Sequence, residues 1–294
     1  MKIRTSRSRK VFVAVNTVAL ILLAASCIIP FVNIIAVSFS DQISVTSGQV
    51  SFWPKGFTLA SYKYILRRSA FWPAFLIAIE RTLLGTAVNL ILTTLTAYPL
   101  SKSNDKLLGR SVYAWYFFFC MLVSGGLIPA YILVSSLGLK NSIWSLILPV
   151  GMPVFNLVLM LNFFRQVPVE LEEAALVDGA GHLRVLLQIY LPVSIPSIAT
   201  ITLFCMVNHW NSWFDGLLYI NKPNLVPLQT YLRNAILTVS ASAETQLDPE
   251  MQKFTSDRSL KCAQVIISCI PILSVYPFLQ RYFVTGLVLG SVKG

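Results

Sequence analysis

The chain has 294 residues, 55% of them hydrophobic and only 12% charged, with a mean hydropathy of +0.69 and a formal net charge of +11. A soluble surface needs roughly twice that density of charge, so a soluble globular domain is excluded and a polytopic membrane protein is expected. The basic excess suits juxtamembrane side chains facing anionic membrane lipid, and nothing points to nucleic acid as a partner.

Residues 1–10 hold five basic side chains (Lys2, Arg4, Arg7, Arg9 and Lys10) and no acid, which places this tail in the cytoplasm by the positive-inside rule. Six charge-free windows follow, at 11–40, 82–101, 111–139, 141–164, 185–214 and 262–280. Each is long enough to cross a hydrocarbon core of about 30 Å as a helix. The start of the first resembles a signal peptide, and Ala24-Ala25-Ser26-Cys27 a lipoprotein cleavage site. The apolar run continues through Phe39, however, and reads as a span.

Segment 41–81 is exoplasmic by parity. It carries a turn at Trp53-Pro54-Lys55-Gly56, a mixed segment through Arg68, and an apolar stretch at 71–79 that begins near Pro73. That stretch is too short to cross alone and reads as an interfacial lead into a second span starting at 82. Residues 82–282 then form a five-helix core with a cytoplasmic loop 165–192 and an exoplasmic loop 216–261, and 283–294 is a cytoplasmic tail. Gly125-Gly126 and Pro129 predict close packing and a kink in the third span. The loop 216–261 contains Pro223, Pro227 and the acids Glu244, Asp248 and Glu250. A loop of this size can meet a soluble partner or serve as a solvated connector. The five cysteines lack CxxC spacing and read as small core residues, with no disulfide or metal site.

Between the fourth and fifth windows lies a polar island with Glu170, Glu172, Glu173, Asp178 and Arg184. Pro168 suits a first helical position, and the carboxylates suit a helix N-terminus. Asp178-Gly179 is a stop. A second helix from about Gly181 puts Leu183, Leu186, Leu187, Tyr190 and Leu191 on one face, opposite Arg184 and Gln188. By helix pattern alone the island is an amphipathic re-entry loop. Its full spacing, Glu173-Ala174-Ala175-x3-Gly179-x9-Ile189-x-Leu191-Pro192, resembles the EAA loop of bacterial ABC importer membrane subunits. Further stretches are similar to the MalG-like branch found in importers of complex or acidic oligosaccharides of the alginate and aldouronate kind. They are Ala97 to Lys102, Ser124 to Tyr131, Leu137-Gly138-Leu139, Asn162-Phe163-Phe164, His209 to Ser212, Tyr276 to Phe283 and Gly290 to Gly294. The likeness covers roughly residues 80 to 294. Glu80-Arg81-Thr82 departs from it, since the family usually has Asn before Ser or Thr.

The resemblance implies an all-α permease of the type I ABC importer fold with six transmembrane helices, set in the bacterial cytoplasmic (inner) membrane with both termini inside. It implies that Glu172, Glu173, Ala174, Ala175, Asp178, Gly179, Leu191 and Pro192 couple to an ATPase. Its partners would be a homologous MalF-like permease, two ATPase subunits or domains, an extracytoplasmic sugar-binding protein and an oligosaccharide. Amino-acid and peptide importers share the loop, so a non-sugar solute is the alternative.

The chain has no Gly-Lys dipeptide, hence no phosphate-cradling GxxxxGK[ST] loop. No cofactor is expected on it, and ATP and Mg belong to the partner ATPases. HExxH, GxSxG and paired-carboxylate constellations are also absent from the sequence, so it reads as non-catalytic. A membrane glycosyltransferase would need acidic or metal-binding residues in a large loop. A secondary transporter would carry intramembrane ionisable residues, and the six windows are read as holding none. His182 reads as a surface histidine. Polar side chains inside spans should face neighbouring helices or a water-filled path. Asn208, Trp210, Asn211, Tyr131 and Asn156 are the candidates for a substrate path, because amides and aromatic rings match sugar hydroxyls and ring faces. The competing reading makes them interhelical hydrogen bonds and an aromatic belt.

Overall fold

Apolar windows bounded by glycine, proline and charge become helices. The computed structural model describes residues 7–241 and 256–291, and every regular element among them is helical. Lys2, Arg4, the acids Glu244, Asp248 and Glu250, and residues 292–294 of the last motif lie outside the described residues.

The elements are α1 (Arg7–Ser38), α2 (Gln42–Thr46), α3 (Ala60–Arg67), α4 (Phe71–Ser101), α5 (Arg110–Leu122), α6 (Leu127–Ser136), α7 (Trp144–Ile147, extended by a 3-10 turn Leu148–Val150) and α8 (Val154–Phe164). They continue with α9 (Val169–Val177), α10 (His182–Val185), a π-turn Leu186–Tyr190, α11 (Leu191–Val193), α12 (Ile195–Asn211), α13 (Phe214–Tyr219), α14 (Leu228–Ala241) and α15 (Asp257–Ser291). Contacts divide the chain into one unit of residues 1–68 and 235–269 and another of 69–234 and 270–294.

In the first unit the end of α1 buries Ala36 and Val37 against Val45, Val50 and Cys262. Phe39 stacks on Phe57 and Tyr62 at 5.6 and 4.9 Å. Asp41 caps α2 by accepting from the Ser44 N–H at 2.9 Å. The segment of the expected turn at 53–56 is bent without a turn hydrogen bond, and Gly56 lies at φ +60 against the Asp41 side chain. The mixed segment ending at Arg68 is α3, held by Ser61 Oγ donating to Ser259 Oγ at 3.2 Å.

The second unit is organised on α4, which packs along α8 and α12. Its 31 residues rise about 46 Å, more than a hydrocarbon core. The expected interfacial lead at 71–79 and second span from 82 are therefore corrected: one helix starts at Phe71 and passes through Glu80 and Arg81 without a break. Pro73 does not interrupt it, because the first-turn N–H has no helical partner to lose. Ala74, Ala78, Gly85 and Ala97 lie on its buried stripe, and small residues there let helices approach closely. A Cβ on Gly85 would sit 2.5 Å from the His209 ring.

Three helices, Ser8–Ser38, Phe71–Ser101 and Asp257–Phe278, are each long and apolar enough to cross a membrane. Three further crossings are bent pairs: α5 with α6 at 112°, the α7 segment with α8 at 53°, and the segment His182–Val193 with α12 at 85°. The described chain supplies six spans when each pair counts as one. The expected kink in the third falls at Gly126, with φ +84. The fifth window, 185–214, is divided between the segment His182–Val193 and the 17 residues of α12. Pro192 and Pro196 each sit in the first turn of a helix, so the apolar run is two helices rather than one. A core of Ala97, Tyr98, Leu157, Met160, Phe164, Val185, Leu186, Tyr190, Ile201 and Cys205 ties α4, α8 and α12 to the polar island.

Candidate functional site

The polar island folds as two limbs around a glycine. Pro168 is the cap residue of α9 rather than its first helical residue, with ψ 129. Glu170 and Glu172 fall in the first turn, where unpaired N–H groups favour negative charge. Gly179 takes φ +81, and the Ala180 N–H closes on the Ala175 carbonyl at 2.9 Å. Gly181 then caps α10.

Glu172 and Glu173 are neighbours in sequence with opposite surroundings. Glu172 is 2% exposed. Its Oε2 accepts from Lys102 Nζ at 2.7 Å and from Tyr190 OH at 2.8 Å. Burial opposes ionisation of Glu172, but the hydrogen bonds from Lys102 and Tyr190 and the charges of Lys102 and Lys106 outweigh it and hold the carboxyl below its ordinary value. Glu173 points outward with a side chain 60% exposed and only a 3.4 Å contact to Lys106 Nζ. Ala174, Asp178, Gly179 and Pro192 are exposed, whereas Ala175 and Leu191 are half-buried against the core. Glu172 therefore faces inward, unlike Glu173 beside it.

The expected apolar face of the second limb divides. Leu186 and Tyr190 turn inward with Val185, while Leu183 and Leu187 are exposed beside Arg184, whose Nε donates to Gln188 Oε1 at 3.1 Å. The π-turn shifts the register within the limb, so a regular 3.6-residue wheel misassigns it. Val177, 87% exposed, joins Leu183 and Leu187 as apolar surface among charges. His182 is at the surface, as expected, with Nδ1 3.2 Å from Tyr98 OH.

A cavity of about 610 Å³ lies among the helices of the second unit, lined by Asn89, Asn156, Asn208 and His209 beside Phe155 and Phe204. Asn89 Nδ2 donates to the Val150 and Gly151 carbonyls, both at 2.7 Å. Its Oδ1 lies 2.6 Å from His209 Nε2. An amide oxygen only accepts, so the ring proton of this pair is on Nε2. His209 Nδ1 has no hydrogen-bond partner among the described residues. Asn156 Nδ2 donates to Cys205 Sγ at 3.2 Å.

Of the path candidates, the cavity brings together Asn156 and Asn208 and leaves out three. Trp210 is buried and packs edge-on to Phe75 at 6.1 Å. Asn211 is exposed outside the lining, and Tyr131 stacks on Tyr219 and accepts from Lys140 Nζ at 2.5 Å. Asn89 was absent from the candidates, although an amide inside a charge-free window is the same signal that marked Asn156.

An ionisable pair lies one residue outside the charge-free windows, and α4 carries its cation inside the second span. Arg81, 1% exposed in α4, pairs with Asp215 and donates from Nη1 to the Ser212 carbonyl at 3.1 Å. Asp215 Oδ1 further accepts from Ser212 Oγ at 3.0 Å and the Gly216 N–H at 2.9 Å. A buried charge persists where it is paired and hydrogen-bonded in this way.

A family model described as binding-protein-dependent transport system inner membrane component matches residues 89–289, taking in both the cavity and the island. The chain is 38% identical over 275 residues to the polygalacturonan/rhamnogalacturonan transport system permease protein YtcP of Bacillus subtilis (strain 168), covering 94% of this chain and 96% of that one. It is 41% identical over 289 residues to protein LplC of the same organism, covering 98% and 97%. Among solved structures, a chain of a bacterial ABC transporter involved in the import of the acidic polysaccharide alginate matches at TM-score 0.85 and 31% identity, covering 96% of this chain and 100% of that one. A bacterial alginate ABC transporter in complex with an alginate pentasaccharide-bound periplasmic protein matches at TM-score 0.61 and 13% identity, a likeness of fold.

Proposed function

This chain belongs to the family of binding-protein-dependent transport system inner membrane components, and on that premise we propose that it forms half of the path for an acidic oligosaccharide. The observation that carries the proposal is the cavity, where Asn89, Asn156, Asn208 and His209 offer neutral donors and acceptors beside the rings of Phe155 and Phe204. Sugar hydroxyls and ring faces suit that lining. No Lys, Arg, Asp or Glu is among its described lining residues, so this half reads hydroxyls and ring faces.

The polar island, with Glu173, Val177, Leu183 and Leu187 outward, is the surface that docks on an ATPase in this reading. ATP and Mg sit on two ATPase subunits, a MalF-like permease completes the path, and an extracytoplasmic sugar-binding protein delivers the substrate. Both termini lie in the cytoplasm. Support comes from the transport roles of the relatives and from the exposed island. The test is uptake of labelled oligogalacturonate by the assembled importer. Asn156→Ala/Asn208→Ala should lower uptake several-fold with basal ATP turnover and assembly intact. Normal uptake in that variant removes the path assignment.

A further inference from the structure

We propose that Lys102 is a positioning residue that locks both limbs of the polar island to the end of α4, so that displacement of the island is transmitted to that span. The inference rests on reading the island as the ATPase-docking element. Lys102 is the first residue after α4. Its Nζ donates to Glu172 Oε2 on the first limb at 2.7 Å and to Tyr190 OH on the second at 2.9 Å, and Tyr190 OH closes the triangle on Glu172 Oε2 at 2.8 Å. The ammonium also lies 3.9 and 4.1 Å from the ring centroids of Tyr98 and Tyr190. Those two rings meet edge-to-face at 5.0 Å. One cation thus holds a carboxylate from before Gly179 and a hydroxyl and ring from after it.

Gly179, at φ +81, is the turn between the two limbs. The Lys102 triangle ties the limbs to each other across it. Its charges are shielded from water, where electrostatic contacts are stronger than at a surface. Glu173, one residue on and exposed, has no comparable tie. A pull on Val177 or Leu183 is then delivered to residues 98–102, and through them to the helix that carries Asn89 of the cavity. Packed side chains joined by hydrogen bonds and ion pairs are the kind of network that carries coupling between sites.

The test uses the complete importer in proteoliposomes, with its ATPase and sugar-loaded binding protein, and reads sugar moved per ATP hydrolysed. Lys102→Met keeps the aliphatic stem and removes the charge; Glu172→Gln keeps the shape. Each should lower sugar per ATP by at least about fivefold, the lower range of a coupling free energy, while ATP turnover and assembly persist. Lys102→Arg should retain more than Lys102→Met. Wild-type sugar per ATP in both Lys102→Met and Glu172→Gln overturns the proposal. Should either fail to assemble, Tyr190→Phe decides, since it deletes one hydroxyl and keeps the ring; unchanged sugar per ATP there also overturns it. A cysteine at Val177 should cross-link to the ATPase in wild type and variants alike. Failure of that cross-link in the wild type strikes the docking reading instead, a separate result.

Discussion

At the scale of single residues, the buried Arg81 and Glu172 are each paired with an opposite charge, while Arg81 Nε and Glu172 Oε1 have no hydrogen-bond partner among the described residues. In the pair of Arg81 with Asp215 the guanidinium is 1% exposed and the carboxylate 20%. Asp215→Ala would leave the guanidinium unpaired and should cost about 3 kcal/mol, whereas the double variant Arg81→Met/Asp215→Ala should recover much of the loss. Thermal unfolding of the detergent-solubilised chain measures both. Glu172 yields a pH prediction. Its folded carboxyl is held below the ordinary value of 4.5, so its ionised form contributes stability that is complete above that value and lost as pH falls through the lowered one. The stability gap between wild type and Glu172→Gln should therefore stay constant from about pH 7 to about pH 5 and close in stronger acid. A gap that closes already near neutrality contradicts the assignment of Lys102 and Tyr190 as the compensating groups.

At the scale of elements, breaks carry as much information as helices. The left-handed Gly179 separates the limbs of the island, and the open space around it means that a substitution is penalised by the backbone alone. Gly179→Val should cost roughly 1–2 kcal/mol there and reduce uptake. Gly179→Asn should be milder, because Asn visits that conformation more readily. Equal uptake by the two variants would deny the backbone explanation. Glu173→Lys reverses an exposed charge without touching the Lys102 triangle, and should weaken docking on the ATPase, read as sugar-stimulated ATP turnover.

At the scale of the whole molecule, the long helices leave large apolar faces uncovered. Leu20, Ile21, Leu22 and Leu23 of α1 are all exposed in the isolated chain, as a lipid-facing span requires. The proposed orientation, with the basic tail in the cytoplasm, can be tested by thiol labelling in intact cells. A cysteine replacing Trp53, 82% exposed in the segment assigned outside, should react with an impermeant reagent. One replacing Ala180 should be protected until the membrane is opened. Reaction at position 180 from outside would overturn the assigned orientation.

The sequence by itself determined the membrane class, the helical architecture, the location of the polar island and its break at Gly179. These depend on local quantities: hydropathy over a window, the absence of charge, and the backbone freedom of one residue. It also marked Asn156 and Asn208, because an amide inside an apolar window is conspicuous wherever it points. Only the tertiary structure decided which side chains face one another. Arg81 reaches Asp215 across 134 positions, Lys102 reaches Glu172 across 70, and His209 reaches Asn89 across 120. Glu172 and Glu173 are equivalent to a helix wheel's reader until α4 arrives beside one of them with an ammonium. The start of the second span was hidden for the same reason: Glu80-Arg81 reads as the end of an apolar stretch unless the distant carboxylate that neutralises Arg81 is known. Pairing energy is a property of the folded neighbourhood, and no local window contains it.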